Sequence, residues 1–190
     1  PLWPELWSAE FLEAGAFHEA FGDCVAILTA LNDRALRREL VASAKVNKTN
    51  VLETTAEDLS WAIKQLEPDH NASVPRRAHN KLRWTLPSSL PTDGPPGALI
   101  AEIHSFAQVF SGCFYDLIGL LYANAPSKTE AQLWKAAETA ARLLFSAAEN
   151  APMTLRLFQS VGRAMAQQDQ VMFGGAHYEL ISQAFRMHNI

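Results

Sequence analysis

Glu19 and Asp23 stand four residues apart, so in a helix they share one face. Small residues surround them: Gly15, Ala16, Ala20 and Gly22. Two carboxylates in such apolar company are costly unless they are paired or meet a cation. The spacing therefore leaves two readings, a buried ion pair or a metal ligand. His18 adjoins Glu19 but lies about 100° around the helix, so the two do not converge on one ion. A second polar set, His104, Gln108, Ser111 and Tyr115, follows one flank of an apolar helical pattern. A His near a helix start serves as a capping or core residue, or as a catalytic donor. A third set, Arg76, Arg77, His79, Asn80 and Arg83, lines a site or forms a solvated basic surface. Cys24 and Cys113 fall on apolar stripes, as buried thiols or as one bridge. Asn47-Lys-Thr and Asn71-Ala-Ser match the short glycosylation pattern.

The elements that must position these residues are helices. Apolar residues recur at steps of three and four, and no stretch alternates with a period of two. The first helix is expected over 13–31, with the stripe Phe17, Phe21, Cys24, Leu28 and Leu31. A short basic helix follows over 34–44. Thr55-Ala-Glu-Asp58 resembles a capping box and opens a helix to about Leu66. Residues 68–97 hold Pro75, Pro87, Pro91, Pro95 and Pro96 and read as a long ordered loop or a linker. A second long helix is expected over 98–124, with Ile103, Phe106, Phe110, Cys113, Phe114, Leu117 and Leu121 as its stripe. Ser127 and Glu130 form a further capping box for a helix to Asn150. Two more helices, near 154–168 and 178–187, flank the break at Gly174-Gly175. The expectation is a single all-α unit over residues 1–190, a multi-helix orthogonal bundle with the Pro-rich loop inside it.

Composition supports a packed core. Hydrophobic residues make up 48% of the 190 residues and charged residues 19%, which argues against disorder. The net charge of -4 comes with scattered Lys and Arg, so no nucleic-acid partner is expected. The apolar run over 107–123 is interrupted by Gln108, Ser111 and Asp116 and reads as a core helix, not a membrane span. No signal-peptide pattern stands at the start. The chain opens at Pro1 instead of Met, which reads as a piece of something longer.

The segment from Glu13 through Ala-Gly-Ala-Phe-His-Glu19 to Asp23 resembles the helix that supplies the third zinc ligand in thermolysin-like peptidases, the gluzincins. The resemblance implies that Glu19 binds Zn2+ and that Asp23 hydrogen-bonds a zinc-binding His. The chemistry agrees: a carboxylate ligates zinc at about 2.0–2.2 Å, and a second carboxylate fixes the orientation of a ligating imidazole. The stretch Ile103-His-Ser-Phe-Ala-Gln-Val-Phe-Ser-Gly112 is similar to the family's later helix, which implies that His104 donates to the oxyanion of the tetrahedral intermediate. Such a donor is worth about 3 kcal/mol of barrier. Arg77 is similar to a family Arg that contacts the substrate carbonyl. The residues from Phe158 through Arg163-Ala-Met165 and Asp169 to Ala184-Phe185-Arg186 look like the family's closing helices.

The chain departs from the family in two ways. The H-E-x-x-H motif, which carries two zinc His ligands and the water-activating Glu, does not occur in it. The Tyr that assists the oxyanion His would fall at Glu10. By resemblance the chain is thus the C-terminal helical part of a zinc metallopeptidase. Its partners would be a peptide or protein substrate and the upstream part of the same protein, and it would be secreted or extracytoplasmic. Alone it would be inactive and would bind Zn2+ weakly or not at all. The alternative is a non-catalytic helical interaction module that kept the packing and lost the chemistry. A thiol enzyme using Cys24 or Cys113 is a third option, disfavoured by the apolar stripes that hold both thiols.

Overall fold

The computed structural model describes residues 11–46, 48, 77–95 and 97–190. All regular structure among them is helical, as expected for an all-α chain. Six α-helices run in order: α1 Leu12–Asn32, α2 Arg34–Ala42, α3 Ile103–Ala123, α4 Glu130–Asn150, α5 Leu157–Phe173 and α6 Tyr178–Met187. A 3-10 turn, Pro87–Ser89, lies in the described part of the Pro-rich loop. The expected helix over 55–66, the two glycosylation patterns at Asn47 and Asn71, and Glu10 lie outside the described residues.

Helix α3 is the axis of the bundle, with its Phe, Val, Leu and Ile side chains buried nearly all round. Helix α1 packs along it. Helices α4 and α6 cover other flanks, and α5 bridges α4 and α6. Both α1 and α3 are long and apolar enough to cross a membrane by length and composition, and 78% of the apolar window of α3 is buried inside the bundle. An aromatic cluster joins four helices: Phe17 of α1, Phe106 and Phe110 of α3, Phe158 of α5 and Phe185 of α6. Phe110 meets Phe17 edge-on with centroids 5.0 Å apart, an arrangement that adds to simple burial.

Several boundaries differ from expectation. Helix α3 starts at Ile103, five residues late, because Glu102 caps it: its carboxylate accepts from His104 N at 3.0 Å and Ser105 N at 2.8 Å. Helix α4 is capped by Thr129, not Ser127, with the Thr129 hydroxyl accepting from Gln132 N. Helix α5 runs from Leu157 to Phe173 instead of 154–168, and Gly174 ends it in the left-handed region at φ 65°. The stripe of α1 is rotated as well. Phe21 and Leu28 are only half-buried, whereas Ala16, Ala20 and Ile27 are buried beside Phe17 and Cys24. Cys24 and Cys113 are both buried and free, so they form no bridge.

The described part of the Pro-rich loop is tied down at both ends. Trp84 N donates to His188 O at 2.7 Å and Asn189 donates to Trp84 O at 2.9 Å, so the end of α6 holds it. Ala101 N donates to Pro91 O at 2.8 Å. Over its described residues the stretch packs as a loop against the helices. Arg37 similarly secures the end of α1: it donates to Leu31 O and Asn32 O, reaches Glu130 on α4 and stacks on Trp134.

Candidate functional site

Helices α1 and α3 approach closely where Gly15 faces Ile103; a Cβ on Gly15 would sit 3.0 Å from Ile103 Cδ1. One turn after Gly15 comes Glu19, and next to Ile103 comes His104. The close approach therefore brings these two together across 85 residues of sequence, with His104 Nε2 3.5 Å from Glu19 Oε2. Both side chains are partly exposed. An ion pair of this kind contributes at most about 1 kcal/mol.

The other ring nitrogen, His104 Nδ1, lies 2.6 Å from Glu102 Oε1. Glu102 thus serves twice, as cap of α3 and as partner of the imidazole. Burial pushes its carboxyl up, but hydrogen bonds from the His104 and Ser105 amides and from the His104 ring outweigh this and hold it below the usual glutamate range. With a carboxylate on Nδ1, that nitrogen carries the proton. Nε2 is turned toward the Glu19 carboxylate on the partly exposed side. Sequence reading missed Glu102, because Glu is not among the favoured capping residues. Its signal was its position two residues before a His at a helix start.

Asp23 lies one turn after Glu19 on α1, half-buried beside Cys24. The Cys24 thiol is pushed well above its usual range by burial and then by the Asp23 charge; Cys113 is pushed up by burial and by Asp116. Neither thiol is poised as a nucleophile, which removes the physical basis for a thiol enzyme. His18 is half-buried on α1, and burial holds its imidazole below the usual range against the pull of Glu19.

Arg77 reaches the same flank by a different route. Its backbone N–H donates to Gln108 Oε1 at 3.3 Å, one turn beyond His104 on α3. Asn80 seats this part of the loop. Its side-chain amide donates to Gln108 O and to Arg77 O, both at 2.9 Å, and it accepts from Leu82 N at 3.0 Å. It lies directly over Gly112, where a Cβ would come within 2.8 Å of Asn80 Cγ and Oδ1. The Ser-Gly pair in α3 is thus a landing place for the loop. Glu19, His104, Gln108 and the Arg77 backbone form one continuous edge; Asp23 extends it along α1. Arg76 lies outside the described residues.

Glu13, on the buried side of α1, is a second residue whose role was not legible. It is almost fully buried, accepts from Phe158 N at 2.7 Å through Oε1, and accepts from the Trp84 indole at 3.0 Å through Oε2. It thereby caps α5 from another helix, where Arg156 offers no side-chain cap. Burial pushes its carboxyl up, against these two hydrogen bonds and the Arg156 charge. Asp116 is likewise engaged within the fold, with His188 Nε2 at 3.0 Å and His79 Nδ1 at 3.5 Å.

Among the described residues no group of three or more His, Cys, Asp and Glu is arranged to hold a metal ion. Glu19 supplies one carboxylate, and a zinc site needs three protein ligands. The described residues alone do not fit Zn2+. No family model, curated protein or solved structure matches this chain.

Proposed function

We propose that this chain is the C-terminal helical part of a zinc metallopeptidase of the thermolysin-like, gluzincin kind. The observation that carries the reading is the meeting of Glu19 with His104 on one partly exposed edge, 3.5 Å apart. Core packing asks for neither residue there. In this reading Glu19 is one corner of a zinc site whose remaining ligands come from an upstream segment, and Asp23 orients one of those imidazoles. His104, held by Glu102, donates to the oxyanion of a peptide under attack, and Arg77 contacts the substrate carbonyl. Because the described residues do not complete a metal site, no step of hydrolysis is assigned to the ion. The chain by itself is expected to be inactive.

The test is a protein extended through its upstream coding sequence. It should bind one Zn2+ and cleave peptides, and Glu19→Gln should lose both. His104→Gln should keep the metal and the fold while losing activity about 100-fold or more. An extended protein with neither zinc nor activity would falsify the reading.

One observation favours a second reading, a non-catalytic helical module: the Glu102 side chain, braced by the His104 ring, caps the first turn of α3. If capping is their only role, His104→Gln lowers the stability of α3 and has no separable effect on activity.

A further inference from the structure

We propose that the cavity between the Pro-rich loop and the ends of α5 and α6 binds a small oxyanion, a carboxylate or a phosphate group. The cavity measures about 340 Å³ and is lined by Trp84, Arg156, Gln159, Arg186, Asn189 and Ile190. At about 30 Å³ per water it has room for on the order of ten waters, ample for one such group and its attachment.

Its lining is rich in donors and, in its side chains, free of carboxylates. Two guanidinium groups and two side-chain amides face one apolar residue and one indole. The Arg156 guanidinium stacks over the Trp84 ring, 3.4 Å from its centroid. Stacking on one face leaves the edge donors of a planar cation available for in-plane oxygen acceptors. The indole is itself held at its edge, since its N–H donates to the buried Glu13. Arg156 is thus fixed on a ring that is fixed in turn, and the ordering cost of a bidentate contact is largely met before binding. Arg156 Nε is buried without a hydrogen-bond partner among the described residues, an unsatisfied charged donor of the kind that marks a missing acceptor. Among the described residues neither Arg156 nor Arg186 is in an ion pair. Glu13, bonded at the edge of the indole, offsets part of the Arg156 charge, and Arg186 adds a second positive charge. The proposal is independent of the peptidase reading, because no lining residue belongs to the Glu19–His104 edge.

The Trp84 indole N–H is the natural reporter, identified in a 15N correlation spectrum by its loss in Trp84→Phe. The full chain is titrated with inorganic phosphate, with acetate and with chloride at constant ionic strength. A saturable shift of that signal with phosphate or acetate, and none with chloride, is the expected result. Arg186→Gln should weaken the affinity about tenfold or more, the effect of losing one charge-assisted contact, with the melting temperature unchanged. The tighter of the two anions identifies whether the group is a phosphate or a carboxylate. Shifts that match chloride, or an Arg186→Gln protein that binds as wild type does, would overturn the proposal.

Discussion

Replacing Gly112 by Ala tests how the loop carrying Arg77 is held against α3. In an ordinary helix interior the change stabilises by about 1 kcal/mol, because Ala loses less backbone freedom than Gly. Here the new methyl would come within 2.8 Å of Asn80 Cγ and Oδ1 and closer still to Nδ2, so the Asn80 side chain must leave. Asn80 would then forfeit its bonds to Gln108 O, Arg77 O and Leu82 N. At about 0.5–1.5 kcal/mol net for each, and partly exposed, they sum to about 2–3 kcal/mol. The expected result for Gly112→Ala is a net destabilisation of about 1–2 kcal/mol after the propensity gain. Asn80→Ala alone should cost about 2–3 kcal/mol, and the double variant should cost no more than Gly112→Ala, since one interaction cannot be lost twice. Urea denaturation followed by helical circular dichroism measures all three. If Gly112→Ala is stabilising in the wild-type background, or if the two costs add, then Asn80 does not rest on Gly112 and the seating of Arg77 has another cause.

Three further outcomes follow from the same geometry. Glu13→Ala strands the Phe158 amide and the Trp84 indole as unsatisfied donors and should cost about 2–5 kcal/mol, at about 1–3 kcal/mol per buried group; a cost under 1 kcal/mol in urea denaturation would contradict the cap described for α5. The Glu102 carboxyl is held below its ordinary value of 4.5, so the unfolded chain binds the extra proton first as pH falls. Its contribution is therefore complete above that value and is lost as pH drops through the folded one; the protection of the His104 and Ser105 amides against hydrogen exchange, relative to their intrinsic rates, should fall in that window, and Glu102→Gln should abolish that fall. Cys24 and Cys113, both buried with raised thiols, should resist an aqueous thiol reagent in the native protein and react on unfolding; rapid reaction of either in the native state would contradict their burial.

Much of the helical architecture was legible because it rests on local pattern. The edges of α1 and α6 fall within one residue of expectation, where Asn32-Asp33 and Gly174-Gly175 punctuate the chain. The errors have physical causes. A hydrophobic stripe counts Phe21 and Leu28 as core, yet α1 turns its small residues Gly15, Ala16 and Ala20 inward, because close approach to α3 rewards small side chains more than large ones. Helix α3 begins late because a Glu supplies its cap, a role that propensity assigns to shorter side chains. Glu19, Asp23, His104 and Arg77 could each be named from residue type and spacing, whereas their partners could not. Asn80 over Gly112 and Glu13 at the Trp84 indole N–H depend on contacts between segments far apart in the chain, to which periodicity is blind, while Glu102 as the companion of His104 is local but not a preferred capping residue.

Glu13 has a consequence for the order in which the molecule assembles. Its two donors lie 71 and 145 residues further along the chain. During synthesis α1 emerges before both donors, carrying a carboxylate whose partners, Trp84 and then Phe158, are made later. Burying that group without its donors carries a desolvation cost that opposes early docking of α1. The final seating of α1 is completed only by donors far along the chain, a long-range closure of the kind that slows folding.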